Sequence, residues 1–316
     1  MSLSISRPIQ KRLAGIVSLL AAGMFLIQVW PHLDDTRGQF HPWAVGFIAL
    51  MVIAVQGLHA CKLRMLLTAP PPFSRLLAIC LIGNFFGAVF FTQLAGDLCK
   101  LWLLREAPER QSGQPLAVLR DRLSSCAAVT LTLAWALSGG TGLSWIVSLL
   151  FLIIVAVLST PGERLAATAW QGLRDHWKRI PEIPIAALNP SMTSWRWLTV
   201  HALSLGVQAV GAIAVWAALS WAGASLDGTK SVLLASVSAV AVLLPLSAGG
   251  IGVREVSSYA LLLHWGTAEA SAAAGIAHLT LGFLLGAGTG ALIGWLMIRP
   301  SSLDQSARMI VGQPGA

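Results

Sequence analysis

Pro245-Leu246-Ser247-Ala248-Gly249-Gly250-Ile251-Gly252-Val253-Arg254-Glu255 lies between two strongly apolar segments. One Pro, three Gly and small residues interrupt helix there, and an Arg–Glu pair follows at once. Bare backbone amides beside a new helix start favour an anion, and Arg254 adds a permanent positive charge. Ionisable residues at membrane depth are costly, so this stretch points to a functional site with a named partner.

That reading requires a membrane. The chain has 316 residues, 56% hydrophobic and 11% charged; soluble domains carry about 25% charged residues. Hydrophobic windows recur from Leu13 to Ile298, so residues 1–300 form a single transmembrane domain, followed by a short disordered tail at 301–316. The run Leu13 to Trp30 follows Arg7, Lys11 and Arg12 but is too long for a signal peptide and lacks a small-x-small cleavage site before Pro31. It reads as a retained first helix. The net charge of +8 comes from basic residues clustered in short loops. That is the positive-inside bias, with a smaller attraction to anionic headgroups, rather than a nucleic-acid surface. Cys61, Cys80, Cys99 and Cys126 have no CxxC spacing and are expected to be packing residues.

The flanking charges set the topology. Trp43 to Ala60 ends at Lys62 and Arg64, which mark the cytoplasmic side. Phe73 to Leu104 has Lys62, Arg64 and Arg75 at its entry and Lys100, Arg105, Arg110, Arg120 and Arg122 at its exit, so both ends belong to one side. A re-entrant hairpin satisfies this, with its break near Gln93 to Asp97. Leu123 to Ser138, extended inward by an Arg120-Asp121-Arg122 turn, and Trp145 to Ser159 are crossings around an outer Gly-rich turn. Thr160 to Ser194 reads either as an amphipathic helix on the cytoplasmic surface or as a solvated loop helix. Trp197 to Trp221 and Ser271 to Ile298 cross, so Ser231 to Trp265 begins and ends outside and forms a second hairpin. The expected architecture is therefore all-α and polytopic. It has about six spanning helices plus two opposed re-entrant hairpins, the pattern of inverted-repeat transporters. Both termini are expected in the cytoplasm of a bacterium, the protein lying in its inner membrane. Eight plain crossings is the rival topology, but it puts the basic Lys100 to Arg122 region outside.

Pro245-x-Ser247-x-Gly249-Gly250-x-Gly252-Val253-Arg254-Glu255 resembles the signature of the lysylphosphatidylglycerol synthase transmembrane-domain family, also called flippase-like. Gly96-Asp97-Leu98 with Lys100 is similar to its Gly-Gly-Asp-x-x-Arg element, and Arg120-Asp121-Arg122-Leu123 to its Asp-Arg-Leu element. The resemblance covers nearly the whole chain. It departs at Thr92-Gln93-Leu94-Ala95 before a single Gly96, at Lys100 in place of Arg, and at His278 where an Arg is often seen. The resemblance implies a module that moves polar or polyprenyl-linked lipids between leaflets. Lipid aminoacylation is not expected, since no soluble aminoacyl-transferase domain follows Arg299.

Arg254 is the first candidate for holding a lipid phosphate, because a guanidinium grips phosphate bidentately and stays charged at any depth. Ser247, Gly249, Gly250 and Gly252 would let backbone amides approach that phosphate, with Glu255 alongside. Adjacent helical residues point about 100° apart, so Arg254 and Glu255 need not pair with each other. Asp97 either pairs with Arg254, carries a coupling proton, or forms a local i, i+3 pair with Lys100. Arg120, Asp121 and Arg122 read as an interfacial cluster setting topology, with Arg120 and Arg122 as headgroup contacts in the other reading. His201, His264 and His278 read as satisfied packing residues. Gly282, Gly286, Gly290 and Gly294 form a small-xxx-small stripe, expected to pack within the monomer rather than in a dimer.

No hydrolase, metal-site or ATPase motif appears, so no cofactor or metal is expected and the protein reads as a non-enzyme. The expected partner is an anionic phospholipid or a polyprenyl-phosphate-linked lipid, and no nucleic acid. Two other classes stay open. One is a non-transporting accessory subunit of a membrane glycosyltransferase or lipid-modifying enzyme; the other is a membrane enzyme acting on a lipid phosphate.

Overall fold

The computed structural model describes residues 38–67, 69–89, 93–104, 114–139, 194–243 and 253–298. They form eight helices: α1 Pro42–Leu66, α2 Phe73–Val89, α3 Gln93–Leu104, α4 Gln114–Leu137, α5 Ser194–Trp221, α6 Gly228–Leu243, α7 Val253–His264 and α8 Glu269–Ile298. The first helix expected at Leu13 to Trp30, the crossing at Trp145 to Ser159 and the amphipathic stretch after it up to residue 193 lie outside the described residues.

Among the described residues, three helices are long and apolar enough to cross a membrane: α1, α5 from Trp195, and α8. Pro at the first position of α1 suits a helix start, where its missing N–H has no intrahelical acceptor to lose. These helices have 25, 28 and 30 residues, against the roughly 20 that span about 30 Å of hydrocarbon. Leu50, Ile213, Trp216, Leu284, Leu292 and Leu296 are exposed along them, the surface expected of a helix solvated by lipid.

The other apolar helices come as two matched pairs. α2 has 17 residues and α3 has 12; α6 has 16 and α7 has 12. A 12-residue helix rises only about 18 Å, too short for a bilayer. α3 runs back along α2: a Cβ on Gly96 would meet the Gly83 carbonyl, and one on Gly83 would meet Lys100. Gln93 to Asp97 therefore opens a helix instead of interrupting one. Gly96 serves close backbone approach, and Asp97 keeps its polar bonds without leaving the helix. α6 and α7 also pack together, with Ser238 Oγ 3.3 Å from Ser258 Oγ.

Two apolar cores hold opposite ends of the bundle. One joins Leu63 and Leu66 of α1, Leu76 and Ile79 of α2, Leu103 of α3, Val118 of α4 and Val200 near the start of α5. The other joins Val215 and Leu219 near the end of α5 to Leu234 of α6, Leu262 of α7 and Ile276 of α8. The open ends of the two short pairs thus sit at opposite ends of α5, with the helix midpoints left to surround an interior space.

The glycine stripe of α8 packs within the chain, as its spacing predicts. Gly282 and Gly286 lie against Ile48, Ala49 and Val52 of α1, and Gly290 and Gly294 against Leu81 and Ala78 of α2. A Cβ on Gly286 would stand 2.8 Å from the Ala49 carbonyl oxygen, whereas one on Gly288 meets nothing within 4 Å.

Polar fastening is concentrated on α1 and α4. Lys62 is fully buried, where a loop charge marking the cytoplasmic face was expected, and its Nζ stands 2.8 Å from Asp121 Oδ1. Lys62 Nζ also donates to Ser125 Oγ at 2.9 Å, and Ser204 Oγ of α5 donates to Ser124 Oγ at 3.2 Å. Arg120-Asp121-Arg122 is likewise not a turn. It lies inside α4, with Arg120 and Asp121 buried, because Asp121 has a cation to neutralise it there. Removing one partner of a buried pair strands the other charge, at a cost of about 3 kcal/mol.

Two outcomes follow for thermal unfolding of the purified protein in detergent. Gly286→Leu loses about 2 kcal/mol by forcing α8 from α1, while Gly288→Leu stays within about 0.5 kcal/mol of the parent. Lys62→Met loses about 3 kcal/mol, and Lys62→Met with Asp121→Asn recovers most of it, because the stranded carboxylate has gone.

Candidate functional site

The midpoints of the long helices surround a half-open cavity of about 310 Å³. Lys100 of α3, Arg122 of α4 and Arg254 of α7 line it, with His59 of α1 beside them. Amide and hydroxyl groups come from Gln56, Asn84, Gln208, Ser125 and Ser238. Val52, Val55, Val207, Val210, Val242 and Phe283 give the remainder an apolar surface. Among the described residues, no Asp or Glu lines this space.

The carboxylates stand behind their cations. Asp97 accepts two hydrogen bonds from Arg122: Nη2 donates to Oδ1 at 2.7 Å and Nε donates to Oδ2. Lys100 Nζ lies 3.6 Å from Asp97 Oδ1, the i, i+3 pair read from the spacing. The fork of a guanidinium matches a carboxylate on two parallel bonds, so Arg122 is held in one orientation. Asp97 thus pairs with Arg122 and Lys100 rather than with Arg254.

Arg254 sits in the first turn of α7 and does pair with its neighbour. Nε donates to Glu255 Oε1 at 3.0 Å, and Nη2 donates to the same oxygen. Thr280 of α8 donates to Glu255 Oε1 at 2.9 Å, and the guanidinium lies 5.1 Å from the centre of the Phe283 ring. The long Arg side chain reaches back across the angle between adjacent positions, and α8 supplies the surface that holds it there. Glu255 in the first turn also complements the helix dipole.

Of the residues expected at the site, Arg254, Lys100 and Arg122 meet at the cavity, with Asp97 and Glu255 as their supports. Arg120 does not join them; it lies over Trp197, 5.8 Å from the ring centre. Ser247, Gly249, Gly250 and Gly252 lie outside the described residues. Sequence reasoning passed over His59 and Gln56 and read Lys62 as a loop charge, although Gln56, His59 and Lys62 recur at helical spacing along α1. Among the histidines, His278 is satisfied: Nε2 accepts from the His41 amide at 2.9 Å and Nδ1 lies 3.3 Å from the Ala218 carbonyl. His264 is exposed, and His201 is buried and stacked on Trp197 with neither ring nitrogen hydrogen-bonded.

Chemically, the arrangement offers fixed donors to an anion on one side and an apolar wall on the other. No curated protein and no solved structure matches the chain. The family described as lysylphosphatidylglycerol synthase TM region matches residues 2–296. With its apolar helices and its three charged motif elements in order, the chain belongs to that membrane-protein family.

Proposed function

We propose that the protein binds an anionic or polyprenyl-linked lipid headgroup in this cavity and aids its transfer between leaflets, without catalysing a covalent reaction. The observation that carries the reading is the sidedness of the cavity. Lys100, Arg122 and Arg254 line it, while their carboxylates stand behind them. A phosphodiester is drawn to such a wall, and an acyl or prenyl chain to the valine-rich side.

In this reading α2–α3 and α6–α7 are the two re-entrant hairpins, within a multi-pass protein of the bacterial cytoplasmic membrane that has both termini inside. Their matched lengths, and open ends at opposite ends of α5, support opposed insertion. Both then bring cations to the midplane, as inverted-repeat transporters place their sites. The accessory role beside a membrane glycosyltransferase or lipid-modifying enzyme is the second reading. The exposed Leu284, Leu292, Leu296 and Trp295 on α8 would give such a partner a helix face to pack on.

Reconstituted liposomes carrying a labelled anionic lipid test the first reading. Arg254→Ala lowers transfer or binding about 10–100-fold, the worth of a charge-assisted hydrogen bond of about 1.5–3 kcal/mol. Arg254→Lys keeps the charge beside Glu255 and loses less. Full transfer by Arg254→Ala would make Arg254 structural. Silent liposomes with a co-purifying enzyme would favour the accessory role. Cysteines introduced between Lys100 and Arg122 should react only from the cytoplasmic side, and labelling from outside would overturn the hairpin topology.

A further inference from the structure

His59 is the titratable group on the cavity wall that the headgroup reading leaves unused. Its side chain is 17% exposed, while Nδ1 is buried, 3.5 Å from Asp121 Oδ1, and makes no hydrogen bond. Asp121 Oδ1 already has Lys62 Nζ at 2.8 Å. The imidazole therefore faces a carboxylate whose charge is matched from the other side. A proton on Nδ1 would turn that contact into a charge-assisted hydrogen bond. It would also add positive charge to a wall that already holds Lys100 and Arg122.

The groups around His59 decide the balance. Its own helix brings Lys62, α4 brings Asp121 and Arg122, and α3 brings Asp97 and Lys100. α2 brings Cys80 and α5 brings His201, both beside Lys62, and α7 brings Arg254 with Glu255 across the cavity. His278 of α8 is bonded to His41 at the far end of α1. Around this imidazole, Lys62, Lys100, Arg122 and Arg254 face Asp97, Asp121 and Glu255, four cations against three carboxylates. An anion in the cavity offsets that excess and any further positive charge on the imidazole.

We propose that His59 is a proton site linked to the headgroup site: an anion among Lys100, Arg122 and Arg254 and a proton on His59 each favour the binding of the other. The proposal rests on the lipid-binding reading and adds its coupling ion. Linkage is reciprocal, so the factor by which the anion favours the proton is the factor by which the proton favours the anion. One proton passes from water to the imidazole as the headgroup binds and returns to water as it leaves, with no covalent bond of the lipid altered. A headgroup of single negative charge then travels as a neutral pair with its proton, and a pH gradient alone can drive it.

The test is calorimetric titration of the full-length protein in detergent with short-chain phosphatidylglycerol, in two buffers of different ionisation enthalpy. The phosphodiester stays ionised throughout, so any proton taken up belongs to the protein. Measurements at about pH 5.5 and about pH 8.5 bracket the ordinary imidazole value of about 6.5. The wild type should bind about tenfold more tightly at the lower pH, with net proton uptake per lipid. Imidazole-linked affinity is present below that value and lost as pH rises through it. His59→Gln should bind at the wild type's alkaline affinity at both pH values and take up no proton. His201→Gln, which removes a buried imidazole off the cavity, should keep the wild-type profile. Binding by the wild type without proton uptake overturns the proton site and leaves the lipid reading standing. A profile that survives His59→Gln, or disappears in His201→Gln, does the same. Absence of binding at every pH overturns both.

Discussion

The structure depends on carboxylates that neutralise cations among apolar helices while standing back from the cavity those cations line. A buried ion costs several kcal/mol unless paired. α1, α3, α4 and α7 could not otherwise carry Lys62, Lys100, Arg122 and Arg254 among apolar helices. Asp97 takes Arg122 and Lys100, Asp121 takes Lys62, and Glu255 takes Arg254. If the carboxylates shared the lining, their charge would cancel the attraction for an anion. Behind it, they stabilise the cations and hold them in one orientation.

That placement needs close helix packing. Asp97 reaches Arg122 because α3 lies flush on α2 through Gly83 and Gly96. α1 can carry Lys62 and His59 inward because α8 approaches it through Gly282 and Gly286. In lipid, helices gain little from hiding apolar surface, so association relies on close van der Waals contact and interhelical hydrogen bonds. The glycine stripe provides the first. Thr132 with Ser236, and Ser124 with Ser204, provide the second. The two kinds of contact meet at the same helices.

The sequence made the membrane class legible, because 11% charged residues in a 316-residue chain leave no soluble surface. The Asp97–Lys100 pair and the intramolecular role of the glycine stripe were legible from helical spacing alone. Lys62 was not, because charge counting locates a basic residue near a helix end and is blind to whether the residue faces water or a partner. Its partner is 59 positions away on α4. Arg120 and Arg122 misled for the same reason: a basic pair resembles a loop until the helix that continues through it, from Gln114, is known. The Arg254–Glu255 pairing could not be derived from the turn angle, since it depends on Thr280 and Phe283 of a helix that begins 14 residues later.

What the fold adds to the motifs is convergence. Gly96-Asp97-x-x-Lys100 and Arg122 belong to the first half of the chain and Arg254 to the second, yet all three cations line one cavity. Each half alone would present only part of that wall, two cations on Asp97 in the first half and one on Glu255 in the second, with less hold on a phosphate. Facing each other across one largely apolar cavity, the same units act together, since their donors share a common target in surroundings less polar than water. A single negative headgroup can lean on one wall and then the other without leaving positive potential, and the apolar side accompanies its chain. In the proposed transfer this makes passage a shift between two weak sites instead of release from one strong site, which is what movement through the cavity, as opposed to capture within it, requires.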